Sequence, residues 1–182
     1  AGTGNNWLEV NHYDNITRRS SSTAVNRDDQ IVLAGGYAWY DPGIGIPGYY
    51  EPDNDVWYST DGLNWIEIIG SAPWAERMEH TCLLFDNRIW IICGGGEGNS
   101  PLYNDVWYSS DWVNWTMATD SALSTGRTHH TSVVYDGRMW VMGGFDWNED
   151  WTRSDVWYST DGVSWIEATS AAQWGSSAIH TS

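Results

Sequence analysis

Short runs of β-branched and aromatic residues, bounded by Gly, Asp, Asn and Ser, recur along the whole chain, and none of them has a helical period. Between positions 131 and 168 the pattern predicts four strands: Thr131 to Tyr135, Arg138 to Met142, Asp155 to Ser159, and Val163 to Ala168. Asp136-Gly137 is a tight-turn signal between the first two strands, and Asp161-Gly162 opens the turn between the last two. The pattern therefore predicts a four-stranded antiparallel meander.

The same pattern repeats with a period of 50 residues. Asp55-Val56-Trp57-Tyr58-Ser59 recurs at positions 105–109 and 155–159, and His80, His130 and His180 keep the same step. The first unit is longer, with a surplus of eight residues around 43–50. The predicted units are 22–79, 80–129 and 130–179, preceded by a terminal outer strand within 1–21 and followed by the start of another first strand at 180–182. Such a period indicates sheets that stack on their neighbours.

A glycine pair ends the second strand of two units, as Gly35-Gly36 and Gly143-Gly144, and is followed by an aromatic third strand and a Trp in the fourth. This combination resembles the kelch class of β-propeller. The middle unit departs from it, because Cys93 stands where the first glycine would align. The turn from Ser59 to Trp65 also resembles a shortened Asp-box of sialidase-like propellers. The resemblance implies an all-β propeller with three complete four-stranded blades and partial strands at both ends.

A propeller of fewer than about four blades does not usually close. Two expectations follow. Either the sequence continues beyond the part given, or the open sheet edges pair with another copy in a homo-oligomer or a filament, because unpaired strands are templates for strand addition.

Charge narrows the range of partners. The chain has 24 Asp and Glu against 8 cationic residues, all of them Arg, and a net charge of -16. Nucleic acids and anionic membrane surfaces are therefore repelled. No run reaches the ~18 apolar residues of a membrane helix, so membrane insertion is not expected.

Aromatic residues are concentrated in the long connections, beside carboxylates. Aromatic rings stack on sugar rings and anchor protein interfaces, so these residues are the predicted binding surface for a protein or a carbohydrate. The alternative is that they only order their own loops. The predicted contact residues are Tyr37, Trp39, Tyr40, Tyr49, Tyr50, Tyr103, Trp147 and Trp151.

Other repeated polar residues are interpreted as structural. The histidines at one phase would be spread around the propeller axis, too far apart for a shared metal. Arg19, Arg77 and Arg127 are each expected to bond a neighbouring loop, and the Asp of each Asp-Val-Trp-Tyr-Ser run is expected to cap a turn. No catalytic residue, metal site or cofactor is predicted. The alternative function is a glycan-processing enzyme of the sialidase-like or galactose-oxidase-like propeller type, for which no residue set can be assigned.

Cys82 and Cys93 flank a predicted hairpin at a spacing that is usually too long for an unstrained disulfide, so both are expected to be buried free thiols, and a disulfide is the alternative. Asn15-Ile16-Thr17 and Asn114-Trp115-Thr116 are glycosylation sequons. The second lies in a turn whose counterparts in the other units are not sequons. These features favour an extracellular, secreted glycoprotein that acts as a non-catalytic interaction or assembly module.

Overall fold

The computed structural model describes residues 16–97, 100–147 and 151–174, with Trp151 described by its backbone alone. Its strands form three antiparallel sheets, here called blades 1, 2 and 3, and the described residues contain no helix. Blade 1 consists of β1 (Arg19–Ser20), β2 (Thr23–Arg27), β3 (Gln30–Tyr40), β4 (Tyr49–Ser59) and β5 (Ile66–Ile69). Blade 2 consists of β6 (Thr81–Phe85), β7 (Arg88–Ile92), β8 (Val106–Ser109) and β9 (Trp115–Thr119). Blade 3 consists of β10 (Thr131–Tyr135), β11 (Arg138–Asp146), β12 (Trp151–Ser159) and β13 (Ile166–Thr169).

Each blade is a meander in which consecutive strands pair, and β1 adds a short fifth strand beside the end of β3. The first strands of the blades, β2, β6 and β10, lie side by side in that order. The predicted all-β, propeller-type architecture of four-stranded blades is confirmed. The outer strand predicted near Trp7 and the strand predicted to start at His180 fall outside the described residues.

In blade 3 the first predicted strand is confirmed, and the middle two are longer than predicted. Pairing of β11 with β12 continues past a β-bulge between Met142 and Gly144 up to the pair Asp146 and Trp151. The left-handed backbone at Gly143, with φ of 61°, produces this bulge. The glycine pair therefore interrupts the ladder without ending it.

The fourth strands start later than predicted because the preceding residues form the Asp-box-like turn. In blade 1, the Asp61 Oδ1 atom accepts the backbone N–H groups of Leu63 and Asn64, both at 2.8 Å. The Ser59 hydroxyl accepts the N–H of Gly62 at 2.8 Å. These bonds lower the pKa of Asp61, the bond from the Asn64 backbone most of all. The resemblance of this turn to an Asp-box is thus reflected in its hydrogen bonds.

Blade 2 keeps the same turn without its glycine. Trp112 has a φ of 68°, close to the 72° of Gly62 and the 74° of Gly162. Cys93 likewise has a φ of 55°, close to the 53° of Gly35. A left-handed backbone is energetically unfavourable for residues other than Gly, Asn and Asp, so packing must offset the strain at both Trp112 and Cys93.

Two hydrophobic clusters lie between the blades. The cluster between blades 1 and 2 contains Val32, Ile91 and Trp74, whose ring meets Trp115 edge to face at 5.9 Å. The cluster between blades 2 and 3 contains Trp90 and Met139. Burial of both sheet faces holds neighbouring blades together.

Both cysteines are free, which confirms the predicted thiols. Cys93 is buried, whereas Cys82 is only partly buried on β6. Desolvation raises the pKa of each thiol to about 12, so neither is a reactive thiolate at neutral pH. The described part of the chain contains no apolar helix of membrane-spanning length.

Candidate interaction surface

The hairpin of β3 and β4 carries five of the eight predicted contact residues. Both strands are eleven residues long, and their pairing runs from Ile31–Ser59 to Tyr40–Tyr49 across a bulge between Ala34 and Gly36. The corresponding strands of blade 2 are only five and four residues long. The extra length and the loop at 41–48 carry the aromatic residues beyond the rest of the blade.

The hairpin aromatics form two separate groups, not one continuous surface. Tyr50 stacks on Tyr37 at 5.5 Å and meets Trp39 at 4.8 Å between ring centroids. Tyr40 stacks on Tyr49 at 5.8 Å. Since side chains alternate along a strand, the Cβ atoms of the two groups point to opposite faces of the hairpin. A single ligand therefore meets one group or the other.

Each group is tied to a carboxylate. The Tyr37 hydroxyl donates to Glu97 Oε1 of blade 2 at 2.6 Å, and this bond raises the pKa of Tyr37. The Tyr40 hydroxyl donates to Asp53, and its pKa is raised by burial and by that bond. The Tyr37 group thus faces blade 2, where the aromatic hairpin and the next blade meet.

Blade 2 replaces the long hairpin with the connection 93–105. Gly95 bridges Leu102 within that connection and Met78 before the blade. Tyr103 donates its backbone N–H to Gly94 at 2.8 Å, and its ring lies 4.6 Å from the Arg77 guanidinium. Stacking against a buried cation fixes the ring of this predicted contact residue.

An open cleft of about 500 Å³ lies between the hairpin of blade 1 and the connection of blade 2. Its charged residues are Glu51, Glu76 and Glu97, and Tyr103 lines it as the one aromatic. Its remaining lining residues are Pro52, Asn54, Ala75, Gly96 and Ser100. We call this feature the acidic cleft. It can accept hydrogen bonds and positive charge, with an aromatic ring beside them.

Glu76 was not singled out from the sequence, although a signal existed. It precedes Arg77 at a repeat position where the other units have Arg18 and Gly126. A carboxylate that breaks the repeat next to a structural arginine is the kind of departure that marks a site. Arg77, by contrast, follows the repeat and is fully buried.

The remaining predicted contact residues belong to blade 3. A Cβ atom placed on Gly95 would lie 2.7 Å from Cη2 of Trp147, so this indole packs onto the connection of blade 2. Trp151 pairs with Asp146 through its backbone at the start of β12. Trp147 therefore helps to order the connection of blade 2, in line with the alternative of local loop packing.

The three repeated arginines are structural, as expected. Arg77 makes two bonds to Asp105, at 2.7 and 2.9 Å, and donates to the Cys93 carbonyl at 2.8 Å. Arg127 makes the same set of bonds with Asp155 and the Gly143 carbonyl. Arg19 does so with Asp55 and the Gly35 carbonyl.

The prediction that the repeated Asp caps a turn is wrong. In each blade this Asp binds the arginine and accepts the indole N–H of the Trp two residues on, as Asp105 does from Trp107 at 2.7 Å. The bond to arginine and the guanidinium charge offset the cost of burial, so the pKa values of Asp105 and Asp155 are lowered. The pair joins the third strand of a blade to the segment that precedes its first strand.

His80 and His130 are also packed into the fold, while His180 lies outside the described residues. His80 lies beside Trp74, with 6.4 Å between the rings, and the His130 Nε2 atom is 2.9 Å from the Thr81 hydroxyl. Burial and the neighbouring arginine charges lower the pKa of each to about 3. No group of three His, Cys, Asp or Glu residues suited to a metal occurs within the described ranges.

Asn114 is exposed in the turn of blade 2, where its Nδ2 donates to Asp111 Oδ2 at 2.7 Å. Asn64 makes the equivalent bond to Asp61 in blade 1. The asparagine therefore supports the turn, and its glycosylation stays a prediction. Asn15 lies outside the described residues.

Comparison with known families agrees with this architecture. A model described as the Kelch motif matches residues 126–167, which run from the segment before β10 into β13. The predicted resemblance to kelch-type propeller repeats is confirmed by that match. No curated protein matches the chain. Kelch repeats are usually non-catalytic modules that bind proteins.

Proposed function

We propose that this protein is a non-catalytic, kelch-type interaction module that binds a basic segment of a partner protein at the acidic cleft and the adjoining Tyr37 group. The observation that carries the proposal is the arrangement of three carboxylates and Tyr103 around one cleft between two blades. Lys and Arg side chains suit such a site, because their charge meets carboxylates while their stems and planes pack on aromatic rings.

The charge distribution supports a basic partner. Arg19, Arg77 and Arg127 are engaged in ion pairs and almost fully shielded from solvent. With a net charge of -16 and few cations left at the surface, the field outside the protein is negative. Complementary charge accelerates association and disfavours acidic partners.

A carbohydrate is the second candidate ligand. Tyr49 and Tyr50 are exposed at the end of the hairpin, and each has a ring neighbour that holds it in place. An ordered, solvent-facing ring offers a flat apolar surface to the face of a sugar ring. This ligand would use the aromatic groups more than the carboxylates.

The test presents fluorescently labelled protein to an array of peptides containing Lys and Arg, to matched peptides with Asp and Glu in those places, and to a glycan array. We expect binding to the basic peptides, weakened by salt. Replacing Glu51 and Glu76 together by Gln should reduce that binding at least tenfold. These substitutions remove charge and leave the Tyr37–Glu97 bond intact.

Leu63→Ala supplies the matched control, because Leu63 is exposed in the turn at the opposite end of β4. It should leave binding unchanged. Binding to glycans that Tyr50→Ala abolishes and the double Gln variant spares would replace the basic peptide with a carbohydrate. Equal binding of acidic and basic peptides would overturn the proposal.

We further propose that the protein is secreted, glycosylated and able to self-assemble. Thr116→Ile tests the glycosylation, because it removes the sequon and gives the turn the Asn-Trp-Ile sequence that blade 1 already has. Expressed through a secretory pathway, the wild-type chain should lose mass on glycosidase treatment. The variant should lose less, and identical losses would argue against a glycan on Asn114.

A further inference from the structure

The outward faces of blades 1 and 3 are exposed to solvent, whereas the equivalent faces between neighbouring blades are covered. In blade 2, the face toward blade 3 is covered, and Trp90 is only 1% exposed. In blade 3, the face that corresponds to it is open, with Val133 42% and Tyr135 70% exposed. The opposite face of blade 1 is also open: Ile31 is 38% exposed, whereas its counterpart Ile89 in blade 2 is fully buried.

Trp140 of blade 3 is the repeat equivalent of Trp90 in blade 2, and its side chain has the same orientation although no described blade covers it. Its indole N–H donates to the Tyr135 carbonyl at 3.0 Å, as that of Trp90 donates to the Phe85 carbonyl at 2.9 Å. The ring of Trp140 lies 5.0 Å from Tyr158 at an angle of 40°. For Trp90 and Tyr108 the values are 5.0 Å and 39°. These contacts lie within each blade, so Trp140 does not need a neighbour to adopt this pose.

The covered tryptophan requires a glycine opposite it. A Cβ atom on Gly162, in the turn of blade 3, would lie 2.0 Å from Cζ3 of Trp90 in blade 2. No side chain fits at that distance, so the indole and the bare turn form a close pair. Any blade that covers Trp140 in the same way must have glycine at this turn position.

At the junction of blades 1 and 2 the large and small residues are exchanged. Blade 1 has the smaller Val32 at the position of Trp90, and blade 2 has Trp112 at the turn position of Gly162. Trp112 packs against the cluster that contains Val32 and meets Tyr58 at 6.2 Å. It also lies under the Arg27 guanidinium, at 5.8 Å. Each junction thus combines one large and one small residue.

Gly62, in the turn of blade 1, is equivalent to Gly162, but among the described residues no Trp of a neighbouring blade packs against it. The nearest atom to a Cβ placed on it is Ile31 Cδ1, 4.0 Å away in its own blade. Gly162, by contrast, is already in contact with the Trp90 ring. The chain therefore presents a Trp on one outward face and an open glycine turn on the other.

We propose that a second copy of this chain docks head to tail on the first, so that Gly62 of one copy receives Trp140 of the other and blade 1 covers blade 3. The three described blades of each copy would together number six, within the range of roughly four to eight found in closed propellers. The contact is between sheet faces and not between strand edges. It gives the proposed self-assembly a specific interface, and it does not involve the acidic cleft.

The experiment measures the mass of the protein in solution by sedimentation up to about 0.1 mM, a concentration that saturates micromolar contacts. We expect a multiple of the 20.5 kDa chain mass. Gly62→Trp should place two indoles against each other and reduce the assembly to single chains. The fold itself should accept Trp there, because Trp112 occupies the same turn at nearly the same φ.

The decisive variant combines Gly62→Trp with Trp140→Val, which copies the Val32 and Trp112 combination. It should restore the multiple. Val113→Trp, at an exposed position in the turn of blade 2, is the control and should assemble like wild type. Thermal unfolding checks that each variant is folded.

Single chains throughout the concentration range would overturn the proposal and would leave another blade or a different protein as the cover of Trp140. A multiple that persists in Gly62→Trp, or is not restored by the double variant, would also overturn it. Loss of peptide binding in the cleft variants with an unchanged mass would affect only the proposed ligand site.

Discussion

Trp90 and Trp140 show how much of a blade is determined within the blade itself. The two side chains have nearly identical hydrogen bonds and ring contacts, yet Trp90 is covered by the next blade and Trp140 faces solvent on one side. The orientation of the indole is thus local, while its burial depends on the neighbour. In a stacked array, the stability of a repeat is the sum of an intrinsic term and an interface term, and this pair of residues separates the two.

The largest effect is expected for Trp90→Ala. The substitution leaves a cavity between blades 2 and 3 and should lower the free energy of unfolding by about 3–5 kcal/mol. Urea denaturation at neutral pH measures it. A loss below about 1 kcal/mol would mean that the junction contributes little.

Acid should weaken the covered junctions next. Because the folded pKa of His80 and His130 is about 3, below the usual 6.5, the unfolded chain binds more protons between these values. The stability is fully present above pH 6.5 and falls as the pH drops, by up to about 1.4 kcal/mol per pH unit for each histidine. At pH 5, protonation of each histidine in the unfolded chain should have lowered the free energy of unfolding by about 2 kcal/mol.

His130→Ser isolates half of this effect, since blade 1 already has Ser22 at that position. The slope of unfolding free energy against pH between 6 and 4 should fall by about half. An unchanged slope would show that protonation of His130 does not cause the loss, since Asp105 and Asp155, whose pKa values are lowered, lose their contribution only below this pH range.

Trp112→Gly is expected to have a smaller effect. The indole is half-buried between blades, so its loss should cost about 1–2 kcal/mol, partly offset because glycine tolerates the left-handed backbone. Urea denaturation again measures it, with Val113→Gly in the same turn as the control. A gain in stability would show that the strain at Trp112 outweighs its packing.

The smallest effect is expected for Trp140→Ala in the Gly62→Trp background, where the chain should be single. With one side of the ring in solvent, the unfolding free energy should fall by less than about 1 kcal/mol. The difference from Trp90→Ala then measures what the neighbouring blade adds. Equal losses for the two tryptophans would remove the contrast between them.

The repeat predicted the blades because the strand order and the turn positions are properties of short segments. The 50-residue spacing and the Asp-Gly turns located β10 to β13 to within a few residues, apart from the extensions of β11 and β12. Those extensions continue past Gly143 because a left-handed glycine allows the ladder to resume after one unpaired residue. A glycine pair in a sequence marks such a bulge and a strand end equally well.

The candidate site was harder to predict because it depends on contacts between units. The sequence identified the aromatic residues of this connection, but not their division into two groups on opposite sides of a hairpin, because the predicted strand ended at the glycine pair before them. Glu76 reaches the cleft from a segment between blades, and no local pattern reports which blade lies across from it. The bond between Asp55 and Arg19, 36 positions apart, was missed for the same reason.

The exchange of large and small residues makes the junction of blades 1 and 2 sterically different from the junction of blades 2 and 3. Near-identical repeats risk stacking in the wrong order while the chain folds, because any blade face could accept any neighbour. Here a Trp112 turn does not fit over Trp90, and a glycine turn leaves a void over Val32. Of the three described turns, only that of blade 2 fills the space over Val32, so a chain that skipped blade 2 would lose packing at the first contact between blades 1 and 3.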